Sequence, residues 1–178
     1  MERKIRVLLV GETWIVVKFH VKGFDVVPLG GYEDFSLWFR EALQNYPDLE
    51  VVHLPNHVAL SAFPREVREL EEYQVVVLSD TGCNTLTFYP DVFQVPMGPE
   101  RLAVVREFVK NGGGLVMCGG WTPFRDFRTM ANHRGSSIEK ILPVNLSVSG
   151  DGAEATSGVK TGNLSPILAS DYSLVSKG

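Results

Sequence analysis

Hydrophobic positions in this chain gather into four short runs, each cut off by glycine, proline or a polar residue. Ile5-Arg6-Val7-Leu8-Leu9-Val10 ends at Gly11, and Leu49-Glu50-Val51-Val52-His53-Leu54 ends at Pro55. Gln74 to Ser79 carries Val75-Val76-Val77-Leu78, and Leu115-Val116-Met117-Cys118 is closed by Gly119-Gly120. Nearly continuous apolar runs of this length read as strands buried on both faces. Between them the spacing turns helical. Leu37, Trp38, Ala42 and Leu43 predict a helix over Phe35 to Tyr46, with Asp34 as its cap and Pro47 after its end. Pro64 to Tyr73 predicts a short charged helix with proline in its first turn. Leu102, Val105 and Val109 predict a helix over Pro99 to Lys110, stopped by Asn111-Gly112-Gly113-Gly114. A short helix from Ser136 is expected to end before Pro143, and Val144 to Val148 offers a fifth strand.

This alternation predicts a three-layer α/β domain: a mostly parallel sheet with helices on both faces, flavodoxin-like strand order being the most economical. In such a sheet, ligands bind at the carboxyl ends of the strands. Three stretches there have no assigned element: the segment after the first strand, Asp80 to Gly98, and Trp121 to Gly135. Connections that long in a compact domain are usually functional or disordered, and the aromatics in the second favour order. From Ser147 onward Gly, Ser, Thr, Asn and Asp dominate. Residues 1–146 therefore read as the domain and 147–178 as a polar peripheral extension of it.

Composition narrows the function classes. The 178 residues carry a net charge of −4, which argues against a nucleic-acid binder, because phosphate-backbone binding needs a basic stripe. No apolar run approaches the roughly 18–20 residues that span a bilayer, so no membrane role is expected. Met-Glu-Arg-Lys leads straight into a strand-like run without a leader pattern, and the expected address is the cytoplasm. There the two cysteines, Cys83 and Cys118, are expected to be reduced.

The chemistry concentrates at the expected carboxyl edge. Glu12, Thr13, Trp14, His20 and Lys22 all fall in the loop expected after the first strand. If that loop folds over the edge, Glu12, His20 and Lys22 face Asp80, Asn84 and Trp121 across the switch point. A bland reading stands beside it: Glu12 satisfies backbone amides, His20 packs on aromatics, and Lys22 is solvated. Asp80 and Asn84 serve equally as caps for a following helix or as ligand contacts. Trp14, Trp121, Phe124 and Phe127 suit stacking on a flat ligand, roofing the core, or burying a partner subunit. His53 and His57 have the spacing of a metal-binding helix, but Pro55 between them disfavours that helix, and no metal is expected. Gly112-Gly113-Gly114 precedes a strand, whereas phosphate-cradling glycines follow one.

Several blocks agree in order: Val10-Gly11-Glu12-Thr13-Trp14, His20-x-Lys22-Gly23-Phe24-Asp25, Val77-Leu78-Ser79-Asp80-x-Gly82-x-Asn84-Thr85, and Asn111-Gly112-Gly113-Gly114-Leu115 with Gly119-Gly120. Over roughly residues 5–145 the chain resembles the class I glutamine amidotransferase-like family of small bacterial cytoplasmic proteins. The resemblance implies a flavodoxin-like fold and an amidotransferase-like label, which says more about shape than about chemistry. Class I amidotransferases set a cysteine nucleophile on a Gly-x-Cys-x-Gly elbow beside backbone N–H donors. Here the segment is Val116-Met117-Cys118-Gly119-Gly120, with the glycine after the cysteine but valine before it. The only histidine downstream is His133, and no Pro-x-His-x-Glu segment follows. A thiol without a base or cationic neighbour stays protonated near neutrality.

The expectation is an amidotransferase-like protein without a Cys-His-Glu triad. It would bind a small polar ligand, such as a sugar or an amino acid, through Glu12, Thr13, Trp14, His20, Lys22, Asp80, Asn84, Gly119, Gly120 and Trp121, and needs no cofactor. If it catalyses a reaction, Glu12 or His20 is the expected acid or base. Rival readings are an active amidotransferase or hydrolase using Cys118, and a structural or assembly subunit. A homo-oligomer is compatible with each.

Overall fold

The structure is a computed structural model that describes residues 4–92, 98–124 and 132–146. Its centre is a four-stranded parallel sheet of β1 (Ile5–Gly11), β4 (Leu49–Leu54), β5 (Val75–Ser79) and β6 (Gly114–Cys118), in the order β4-β1-β5-β6. These are the four apolar runs, and their order is the flavodoxin one. The remaining strands, β2 (Thr13–Lys22) and β3 (Asp25–Asp34), pair among the described residues only with each other, antiparallel, as a separate ribbon.

Strand alternation divides the core between the sheet's two faces. Leu8, Val10, Val76 and Leu78 point to one, against Ala59 and Phe63 from α2 (Asn56–Ala62) and its C-terminal end, Leu70 of α3 (Val67–Leu70), and Leu86 of α4 (Cys83–Thr87). Leu102, Val105 and Phe108 of α5 (Arg101–Lys110) complete that layer. Val7, Leu9 and Val77 point the other way, beside Val51, Val75 and Cys118. α1 (Leu37–Gln44) packs along β4 and buries none of its own residues.

One buried cation fastens the helical layer. Arg101 is wholly buried and donates to five backbone carbonyls: Leu86, Ala59, Leu60, Thr85 and Phe88, at 2.7–3.3 Å. Its guanidinium also stacks on Tyr89, 4.4 Å from the ring centre. The acceptors lie toward the carboxyl ends of α2 and α4, where the helix dipole favours positive charge.

The main correction concerns the segment after β1, which was expected to be a loop and is instead the β2–β3 ribbon. Lys22 pairs with Asp25, leaving the two-residue turn Gly23-Phe24, with Gly23 at φ 62° as a primed hairpin turn requires. The signal is in the sequence. Ile15, Val17, Phe19 and Val21 alternate with Lys18, His20 and Lys22, followed at once by a glycine turn.

Helix boundaries also shift. Asp34 closes β3 rather than capping α1, and its Oδ1 accepts from the N–H and Oγ of Ser36, the residue at the cap position. The helix expected over Pro64 to Tyr73 contracts to α3, whose Glu69 carboxylate takes the Arg65 and Glu66 amides. The unexpected α2 starts directly after Pro55, with Thr13 Oγ1 accepting from the Asn56 N–H. Asp80 to Gly98 is not wholly irregular: it holds α4 and a 3-10 turn at Pro90–Val92. The helix expected from Ser136 is a 3-10 turn at Glu139–Ile141, and Val144 to Leu146 form no strand. Phe127, residues 147 and 148 of the expected fifth strand, and the 147–178 extension lie outside the described residues.

Candidate functional site

β1 and β5 lie side by side at the centre of the sheet, and the chain leaves their carboxyl ends in different directions. That divergence opens a crevice at the switch point. Gly11 and Glu12 both turn left-handed there, at φ 110° and 55°, and Asp80 does so at φ 46°. A Cβ on Gly11 would sit 1.9 Å from the Ser79 carbonyl oxygen, so only glycine fits. Left-handed backbone at an acidic residue costs energy and persists where the surrounding contacts fix it.

Those contacts are visible. The Glu12 N–H donates to Ser79 O at 3.0 Å, its carbonyl accepts from the Phe35 N–H, and Ser79 Oγ donates to its carboxylate. Asp80 is buried, and its Oδ1 accepts from the N–H and Oγ1 of Thr122 at 2.7 and 3.0 Å. The loop after β6 is thereby tied to the loop after β5. A Cβ on Gly120 would lie 2.5 Å from the Asp80 carboxylate, so this glycine provides the close approach. Asn56 joins the set from α2, its Nδ2 donating to Thr13 O and Asp80 O and its Oδ1 lying 3.1 Å from Thr81 Oγ1.

Behind Gly11, the His53 ring holds its carbonyl through Nε2 at 2.9 Å and meets Ser36 Oγ at 3.4 Å through Nδ1. Asp34 and Arg40 complete this network. Burial pushes the Asp34 carboxyl upward, but the hydrogen bonds from Ser36 and the charges of Arg40 and His53 outweigh it and hold it below the ordinary range.

Above this base lies a cleft of about 580 Å³ lined by Glu12, Trp14, Ile15, Val16, Glu33, Phe35, Asp80 and Trp121. Trp14 and Trp121 meet edge to face with ring centres 6.0 Å apart. The described lining thus holds three carboxylates and three aromatic rings, with no lysine, arginine or histidine. Carboxylates accept hydrogen bonds and attract positive charge, while aromatic faces accept cations and the C–H faces of sugar rings.

The structure thus brings Glu12, Trp14, Asp80 and Trp121 together, and it does not bring His20 and Lys22 to them. Both lie exposed toward the far end of the ribbon, about 20 Å (His20) and about 27 Å (Lys22) along β2 from Trp14 at the usual rise per residue. Thr13 is buried and serves the start of α2. Asn84 stands in the first turn of α4, outside the cleft lining, and Gly119 has open space beside it. Sequence reading passed over Glu33 and Phe35, which register across the ribbon would have revealed, and Asn56, which carries no local signal.

Cys118 ends β6 against the Val7–Leu9–Val77 cluster, and among the described residues no histidine hydrogen-bonds it. Nε2 of the buried His133 donates to Thr81 O at 3.0 Å. Burial pushes the Cys83 thiol up, and its sulfur lies 3.4 Å from Thr87 Oγ1. Among the described residues no group of three His, Cys, Asp or Glu side chains is placed to hold a metal, and no helix is long and apolar enough to cross a membrane.

Two solved structures share this architecture. The cytoplasmic protein STM3548 from Salmonella typhimurium is 34% identical, with a TM-score of 0.76 over 82% of this chain and 59% of its own. The cytoplasmic protein STM1381 from Salmonella typhimurium LT2 is 28% identical, with a TM-score of 0.76 over 83% of this chain and 60% of its own. This chain therefore spans about three-fifths of the length of each. No curated protein matches it. Residues 6–176, nearly all of the chain, match the family described as "Putative glutamine amidotransferase". With the fold, the order of its strands and the match all in agreement, this chain belongs to that amidotransferase-like family.

Proposed function

We infer that the cleft binds a small ligand rich in hydrogen-bond donors, an amine or a polyhydroxylated ring, and that Cys118 is not used as a glutaminase nucleophile. The carrying observation is the lining itself: Glu12, Glu33 and Asp80 beside Trp14, Phe35 and Trp121, with no cationic side chain among the described residues. A cleft of this size accommodates a small molecule, and its indole pair offers a stacking wall. An anionic ligand would meet three carboxylates, of which only Glu33 has a cation beside it, the exposed Lys18 at 3.8 Å. The reading narrows the sugar or amino-acid class to sugars and to amino compounds whose positive charge is not matched by a carboxylate. A cytoplasmic address goes with it, since both Salmonella neighbours are described as cytoplasmic proteins.

The rival activity, ammonia release from glutamine through Cys118, draws on the glycine pair that follows the cysteine. Against it stands the absence of a hydrogen-bonded histidine among the described residues, because an unassisted thiol is a weak nucleophile.

A thermal-melt screen against amines, sugars, amino acids and carboxylates tests both. A ligand at 100 times its Kd raises stability by about 2.7 kcal/mol. The expected result is a shift with amines or sugars in the parent that is lost in Trp121→Ala, a change at an exposed side chain. Shifts confined to anionic compounds overturn the reading. So does glutamine hydrolysis that disappears in Cys118→Ala.

A further inference from the structure

The β2–β3 ribbon is amphipathic in a way that the fold leaves unfinished. Register pairs Ile15 with Tyr32, Val17 with Gly30, Phe19 with Pro28 and Val21 with Val26, so all eight residues share one face. Trp14, Val16, Lys18, His20 and Lys22 point to the other, and that face meets the cleft at its base. On the apolar face, among the described residues, only Tyr32 meets a ring from the body, His57 of α2, at 5.4 Å. Ile15, Val17, Phe19, Val21, Val26 and Tyr32 remain 52–70% exposed. Single exposed hydrophobics are ordinary, whereas a continuous face of them marks an interaction surface.

We propose that this face is where two copies of the chain pack, ribbon against ribbon, about a two-fold axis. Area favours that occupant. The exposed parts of these six residues together amount to several hundred Å² per copy, the range of the roughly 800 Å² that each partner buries in a standard stable interface. Shape favours it as well. Gly30, opposite Val17, leaves the face without a side chain one cross-strand pair away from the projecting Phe19. A two-fold mate seats its Phe19 in this notch and receives this Phe19 in its own, the reciprocity that an isologous interface requires. Of the charged residues of the ribbon, Lys18, Lys22, Asp25 and Glu33 lie on the opposite face, and Asp34, at the base of the apolar face, is already paired with Arg40.

Sedimentation equilibrium over a concentration series decides the matter, run on the full 178-residue chain. The expected result is a species of twice the 19.7 kDa chain mass that Phe19→Asp, and independently Val21→Asp, returns to the single-chain mass. Far-UV circular dichroism should be unchanged in both variants, since the positions are exposed. Leu29→Asp, on the opposite face, should leave the dimer intact. A parent that stays monomeric at every concentration overturns the proposal. So does association unmoved by Phe19→Asp and Val21→Asp, or broken by Leu29→Asp instead.

Discussion

The parallel sheet and the ribbon are built from the same residues and end in opposite states. Leu9, Val10, Val76 and Leu78 are essentially inaccessible, while Val17, Phe19 and Val21 are more than half exposed. Composition does not separate them. The difference is in what each element is offered to pack against: helices brought back by crossovers in one case, a solvent-facing hairpin in the other. Polar groups follow the same divide. Arg101, buried in the helical layer, finds five carbonyls, whereas Lys18 on the ribbon has one carboxylate, Glu33, at 3.8 Å. Apolar pattern thus says that a face will be buried, but not by which molecule.

Replacing the anchor of the packed region should have the largest effect. Arg101→Met leaves buried carbonyls without a donor and is expected to lose on the order of 3 kcal/mol in urea unfolding. Phe19→Asp, measured at a concentration where the parent is monomeric, should change stability by no more than about 0.5 kcal/mol. Equal losses from the two substitutions would erase the contrast between the regions.

An intermediate effect belongs to His133. Burial holds its imidazole below the ordinary value despite the hydrogen bond to the Thr81 carbonyl, and its buried Nδ1 has no partner among the described residues. The folded chain therefore resists protonating it, while the unfolded chain protonates near pH 6.5. Its contribution is complete above about pH 6.5 and is lost as pH falls through the depressed folded value. Urea midpoints across pH 5–8 should fall on the acid side in the parent and flatten there in His133→Gln. An identical acid-side fall in both would remove His133 from the account.

The smallest effect is expected on the ribbon's charged face. The Lys18–Glu33 pair is exposed, and Lys18→Ala should cost less than about 0.5 kcal/mol, with no salt dependence beyond error. A larger, salt-sensitive loss would mean that the ribbon is stabilised within the chain more than its exposure suggests.

How much of this was legible in the sequence varies with the range of the interaction. The four parallel strands and the α5 helix could be read because each is a local period closed by local punctuation. The ribbon is equally local, in the alternation from Ile15 to Lys22 and the turn at Gly23, but the polar residues clustered after β1 suit an edge loop as well as a solvated strand face. Cleft membership was only partly legible. Glu12 and Asp80 directly follow adjacent strands, so the fold class alone puts them at one edge. Glu33 and Phe35 required the hairpin register, and Asn56, which supports the base of the cleft, required the packing of α2 beneath both loops.

The sequence by itself determined the parallel sheet, because near-continuous apolar runs closed by glycine, proline or a polar residue favour strands that their neighbours cover, most completely in β1 and β5. It also put acids and indoles at the carboxyl edge, since those residues follow the strands directly. Tertiary structure alone decided which of them meet. The ribbon carries His20 and Lys22 away from the edge, its register returns Glu33 and Phe35 to it, and Gly120 lets the loop after β6 close on Asp80. Those contacts join residues far apart in the chain, where strand order and hairpin direction govern distance and local periodicity carries no information.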